Sequence, residues 1–150
     1  MLIRKMTIDD YDALQAFIGR FISGSEGSTG TVRLARRERL FEALCNETFH
    51  PFVGIRFGST IEVAGRLLVM PSYLEDQYAE CSWQMESGMN ENYVRMILVY
   101  TITIAQQLHC SSLEIVLPED DCVRAILEEM GCRLVDSTSS GSSIFRRRVP

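Results

Sequence analysis

Five cysteines (Cys45, Cys81, Cys110, Cys122, Cys132) and two histidines (His50, His109) are the side chains whose types could ligate metal, cross-link or attack a substrate. Their spacing permits little of this. The cysteine count is odd and no C-x-x-C pair occurs, which argues against a disulfide framework and against a structural zinc site. The histidines stand far from any pairing that would build a metal site or a Ser-His triad. Each is read as a surface or helix-end residue, and no metal is expected. The Gly/Ser segment from Ser23 to Thr31 matches neither a Walker loop nor G-x-G-x-x-G, and no strand precedes it. It is read as a mobile loop.

Charge narrows the partners. The 150 residues carry 15 Lys+Arg against 20 Asp+Glu, a net charge of −5. Residues 1–75 balance nine basic with nine acidic side chains, while residues 76–150 hold six basic and eleven acidic, so the whole excess lies in the second half. An acidic half disfavours phosphate backbones and attracts cations. Two arginine clusters, Arg33-Arg36-Arg37-Arg39 and Arg146-Arg147-Arg148, read as a solvated helix face and a strand end, so no nucleic-acid partner is expected. The hydrophobic share of 46% and charged share of 23% are globular values. The longest apolar-rich stretch, Met96 to Ala105, is half of the roughly 20 residues a membrane helix needs. A single soluble, cytoplasmic domain over residues 1–150, with no membrane partner, is the expectation.

The elements follow from periodicity and punctuation. Leu2-Ile3-Arg4 reads as an edge strand. Thr7-Ile8-Asp9-Asp10 starts a helix over 8–22, with a hydroxyl cap and carboxylates at the positive dipole end. A second helix over 32–46 turns Leu34, Leu40, Phe41 and Leu44 inward. Phe52–Phe57 and Ile61–Met70 form a hairpin around Gly58-Ser59-Thr60. Tyr78–Glu86 alternates, with Tyr78, Glu80, Ser82, Gln84 and Glu86 on one face and Ala79, Cys81, Trp83 and Met85 on the other. Residues 92–109 contain a β-branched run, yet their length and the ending Ala105-Gln106-Gln107-Leu108 favour a buried helix over a strand. Leu113–Leu117 is a strand ended by Pro118. Glu119-Asp120-Asp121 opens a helix to Met130, closed by Gly131. Two strands near 133–135 and 143–149 finish an α/β chain of order β-α-α-β-β-β-α-β-α-β-β.

This order resembles the GNAT superfamily of N-acyltransferases. The resembling phrases are Ile3 to Asp10, Val63-Ala64-Gly65-Arg66-Leu67-Leu68-Val69, and Leu113-Glu114-Ile115-Val116-Leu117 followed by Glu119 to Cys132. The resemblance implies a mixed, twisted sheet that splays between its fourth and fifth strands. Acyl-CoA enters the splay and an amine approaches from the other side. Tyr78-Ala79-Glu80-Cys81-Ser82-Trp83 is similar to the fourth strand of bacterial protein lysine acetyltransferases, and the resemblance nominates Glu80 as general base. An amine is mostly protonated at pH 7 and only its neutral form attacks a thioester, so a carboxylate beside it has work to do.

By the same resemblance, the acyl-CoA site runs over Met85, Ser87, Gly88, Asn90, Asn92, Tyr93 and Arg95, where the family places a Q/R-x-x-G-x-G/A loop at a helix N-terminus. Here its glycine positions fall on Glu91, Tyr93 and Arg95. Side chains there obstruct the approach that glycine permits, and a carboxylate at Glu91 repels an anion. The family's tyrosine acid, four residues before the terminal glycine, is Leu127. Cys122 and Cys132 nearby are read as buried structural thiols.

Three functions fit. The first is an acetyltransferase moving an acyl group from acetyl-CoA or another acyl-CoA to an amine or lysine. The second is a catalytically degenerate relative acting as a ligand-binding or regulatory module, and the third a small-ligand sensor using the same cleft. A homodimer is left open.

Overall fold

The computed structural model describes residues 1–23, 36–56, 60–70, 77–85 and 90–150, and the backbone alone at 21–23. The Gly/Ser segment, Leu34, most of the hairpin turn and Glu86, Ser87 and Gly88 lie outside the described residues.

The elements are β1 (Leu2–Lys5), α1 (Tyr11–Ser23), α2 (Arg37–Leu44), β2 (Phe49–Arg56), β3 (Thr60–Met70), β4 (Tyr78–Met85), α3 (Glu91–Gln107), β5 (Ser112–Pro118), α4 (Asp121–Glu129), β6 (Arg133–Ser137) and β7 (Ser142–Arg148). A 3₁₀ turn, Ile8–Asp10, leads into α1. The order is the expected one, and the strands form a single sheet, β1-β2-β3-β4-β5-β7-β6.

Every neighbouring pair is antiparallel except β4 and β5. A parallel pair needs a crossover, and α3 supplies it. Alternation decides which face each residue serves. Ala79, Cys81 and Trp83 of β4, with Leu113, Ile115 and Leu117 of β5, are buried in one core with Val94, Ile97, Leu98 and Leu127 from α3 and α4. Leu14 and Phe17 of α1 and Leu40 of α2 pack against Val53 and Ile61 in a second core. That second core covers the β2–β3 part of the sheet.

Helix ends match the local chemistry. Asn90 Oδ1 accepts from the Asn92 N–H at 2.9 Å and starts α3. Asp120 Oδ1 accepts from the Cys122 and Val123 N–H groups and starts α4. Gly131 follows α4 with φ +88°, a left-handed conformation that glycine adopts without a Cβ penalty. His109 takes φ +59° after α3.

Three expectations change. Phe41 points outward, 56% exposed, because α2 offers only the stripe through Leu40 and Leu44 to the core. Cys122 is exposed, since it sits in the first turn of α4 while Ile126 and Leu127 carry that helix's buried face. Asp10 is not simply a carboxylate at a helix dipole. It is buried and takes both terminal nitrogens of the Arg4 guanidinium, at 2.7 and 2.8 Å, together with the Thr7 N–H at 2.8 Å. No helix among the described residues is long and apolar enough to cross a membrane.

Candidate functional site

β4 and β5 pair over only four residues, from Tyr78 opposite Ser112 to Cys81 opposite Ile115. β4 then runs on to Met85 and β5 to Pro118 with no ladder between them, so the sheet opens as a V. The facing edges of the two strands leave backbone N–H and C=O groups without a ladder partner on that side, and such groups seek partners. A cleft of about 390 Å³ occupies this opening, walled by Phe49 and Pro51 of β2, Arg66 of β3, Ser82 of β4, and Val116 and Pro118 of β5.

Glu80 stands at the closed end of the V. It shares a face with Ser82, away from the α3 core, and lies opposite Leu68 of β3 and Glu114 of β5. Glu80 is half-buried and makes no hydrogen bond or ion pair among the described residues. Glu114 differs: its Oε1 accepts from Arg146 Nη2 of β7 at 2.6 Å. One carboxylate of the facing pair is neutralised and the other has no partner among the described residues.

The thiols behind this face are not nucleophiles. Burial pushes the Cys81 thiol up, opposed by a hydrogen bond with Thr101 and reinforced by the negative charge of Glu80. Burial also lifts Cys132 to about 11, against the pull of Arg147. Neither supplies thiolate near neutrality. Leu127 is fully buried and provides no acid.

The mouth of the V lies where β4 leads to α3 and β5 leads to α4. Of the residues nominated there, Met85 is half-buried at the end of β4 and packs against the α3 core. Asn90 caps α3 with its own side chain. Tyr93 donates its N–H to the Asn90 carbonyl at 3.0 Å, so that amide is already spent inside the helix. Asn92 is exposed. Arg95 reaches across to α4, donating from Nη2 to Glu129 Oε2 at 2.7 Å, rather than facing the mouth unpaired. Glu91 and Asp121 add exposed carboxylates in the first turns of the two helices. An anion arriving here meets side-chain caps and negative charge in place of bare amides.

Arg66 was not singled out from the sequence. The available signal was a cation between Val63-Ala64-Gly65 and Leu67-Leu68-Val69 in the middle of β3, at a position whose alternation puts it on the Glu80 face. The Glu114–Arg146 pair was equally hidden, because it depends on strand register.

No family profile and no curated protein sequence matches the chain. Solved structures do. An acetyltransferase of the GNAT family from Streptococcus pneumoniae superposes with TM-score 0.78 at 12% identity, covering 99% of each chain. The GNAT domain of S. lividans PAT gives 0.73 at 11% identity, covering 97% of this chain and 89% of that one. The ribosomal-protein-alanine N-acetyltransferase from Brucella melitensis gives 0.72 at 15%, covering 99% of each. At such identities the likeness establishes architecture, and this chain has the fold of the GNAT acetyltransferases.

Proposed function

We propose that residues 1–150 form one N-acyltransferase domain that moves an acyl group from acyl-CoA, acetyl-CoA in the simplest case, to an amine, with Glu80 as general base. The observation that carries this reading is the unpaired, half-buried Glu80 at the vertex of the β4–β5 splay. Acyl-CoA supplies a thioester carbonyl. The chain's own groups do the rest. The open edges of β4 and β5 beyond Cys81 and Ile115 hydrogen-bond the amides of the thioester arm and hold it in the V. Glu80 takes the proton from the approaching ammonium, leaving the neutral amine to attack. Ser82 and the cleft walls exclude bulk water from one side. The nitrogen sheds its second proton as the C–S bond breaks, and water at the mouth relays that proton to the departing thiolate, since Leu127 stands where the family's tyrosine would.

A second reading, a binding module without turnover, is favoured by the self-capped N-terminus of α3 and by Glu91 within its first turn. One experiment separates the two. Thermal unfolding is followed with acetyl-CoA titrated in, and the same mixtures, with an amine and lysine-peptide panel, are read by mass spectrometry. A ligand that binds only the native state raises Tm by mass action. A raised Tm with acetylated product supports the transferase, and a raised Tm without product supports the binding module. No shift and no product removes both.

A further inference from the structure

We infer that the acceptor is a zwitterion, an α-amino acid or a short amine carrying a carboxylate beside it, and that Arg66 is the residue that reads the carboxylate. This rests on the proposed reaction and names its substrate class. Arg66 lies directly opposite Ser82 in the β3–β4 ladder and walls the cleft. Its neighbours on that face of β3 are Ala64 and Leu68, so it is not part of a solvated charged stripe. Among the described residues it makes no ion pair or hydrogen bond.

Leu68 is opposite Glu80, which makes Arg66 and Glu80 diagonal neighbours, roughly 7–8 Å apart between strands. At that separation two long side chains of opposite charge can meet, yet no ion pair forms between them. The other charges nearby, Glu114 and Arg146, satisfy each other at 2.6 Å. Arg66 in the cleft wall and Glu80 at the closed end of the V beside it therefore present, among the described residues, a cation and an anion without partners on a single face of the sheet. A simple alkylamine or a lysine side chain would satisfy Glu80 and leave Arg66 idle, whereas an amino acid satisfies both. Phe49, Pro51, Val116 and Pro118 form apolar walls of the cleft that Arg66 lines, which suits an apolar side chain. The alternative source of an anion is a phosphate of the donor, and the test separates the two.

The test is calorimetric titration of the whole chain and of Arg66→Gln with phenylalanine, phenethylamine, phenylalaninamide and, separately, acetyl-CoA. Arg66 is exposed, so the variant should fold, and its thermal unfolding checks this. Removing one charge-assisted contact is worth about tenfold in affinity. Phenylalanine should bind the unaltered protein about tenfold more tightly than either carboxylate-free probe. Arg66→Gln should erase that gap while leaving acetyl-CoA affinity unchanged, and Arg66→Lys should restore part of it. Equal binding of all three probes, no binding of any, or a gap that survives Arg66→Gln overturns the inference. So does a loss confined to acetyl-CoA, which assigns Arg66 to the donor. None of these readings needs turnover. Acetylation of amines without the preference would sink the zwitterion and keep the acyltransferase.

Discussion

Glu80 and Glu114 face each other across the parallel β4–β5 ladder, one pair before the strands part, and among the described residues only Glu114 has a cation, Arg146. Two carboxylates in register destabilise a sheet if both stay charged and bare. Arg146 relieves that by neutralising the one further from the cleft wall at Ser82. The pair is thus treated unequally: Glu114 carries an ion pair from β5 to β7, and Glu80 has none among the described residues.

That division predicts opposite outcomes for two conservative changes. Glu80→Gln should fold normally and lower acyl transfer at pH 7 by about 10²–10⁴-fold, because glutamine keeps the shape and cannot take a proton. The defect should shrink as pH rises toward the acceptor's own pKa, where more amine is already neutral. Glu114→Gln should leave the rate within a few-fold and cost about 1 kcal/mol or less of stability, since its partner Arg146 is half exposed. pH–rate profiles of the three proteins check this. Equal rates for wild type and Glu80→Gln at pH 7 would strike Glu80 from the mechanism.

The mouth predicts weak donor binding that a charge change improves. Glu91 lies in the first turn of α3, where the helix dipole would otherwise favour a diphosphate. Glu91→Gln should tighten acetyl-CoA binding by about threefold, the usual worth of one exposed charge at a helix end. Replacing Tyr93 by glycine should add nothing, since its amide already bonds the Asn90 carbonyl. Calorimetry on both variants decides it, and an affinity indifferent to Glu91 would move the phosphate site elsewhere.

Why this much was readable from residues alone, and no more, is visible in single elements. β4 was legible because one of its faces is fully buried, so burial enforces the alternation from Ala79 to Trp83. The β-branched run in α3 could have been a strand. It is a helix in which Thr101 and Thr103 donate their hydroxyls to the Leu98 and Val99 carbonyls, so the buried Thr101 hydroxyl is satisfied without leaving the helix. Register was the missing quantity. Nothing local says that Glu80 meets Glu114, because parallel pairing joins segments far apart in the chain, or that Arg66 lies diagonal to Glu80, because neither strand by itself fixes the β3–β4 register. Arg4 and Asp10 were hidden for a related reason: each had an ordinary local role, in a strand and at a helix start, that masked their pairing.

That pair sets an acid limit on stability. The Arg4 guanidinium, first by its hydrogen bonds, and the Thr7 N–H hold the Asp10 carboxyl below its usual range, against the opposing effect of burial. A depressed folded pKa stabilises fully above the unfolded value of about 3.9, and the contribution is lost as pH falls through the folded value. Urea unfolding from pH 7 to pH 2.5 should therefore show a stability loss below about pH 4 that Asp10→Asn flattens. Arg4→Met should cost roughly 2–3 kcal/mol at pH 7, since it leaves a carboxylate 8% exposed without its cation. An Arg4→Met protein as stable as wild type would mean the pair only balances its own desolvation.

Gly65 carries the last prediction. It sits opposite Phe52 in β2 and Trp83 in β4, and a Cβ at this position would run into the Phe52 ring. That ring is itself fixed, packed in the core with its centroid 5.4 Å from Tyr100 of α3 at a 54° tilt. Phe52 cannot yield without disturbing the helix whose N-terminus forms the mouth. Gly65→Ala should destabilise the fold by about 1–3 kcal/mol, the ordinary cost of overpacking a core. Phe52→Leu, which shortens the obstructing ring, should cost stability by itself but less in the presence of alanine at 65. The double change should then be more stable than the sum of the single ones by about 1 kcal/mol, as expected for residues in contact. Denaturant unfolding of the four proteins in the cycle measures this. Strict additivity would show that the strand, and not the ring, absorbs the added methyl.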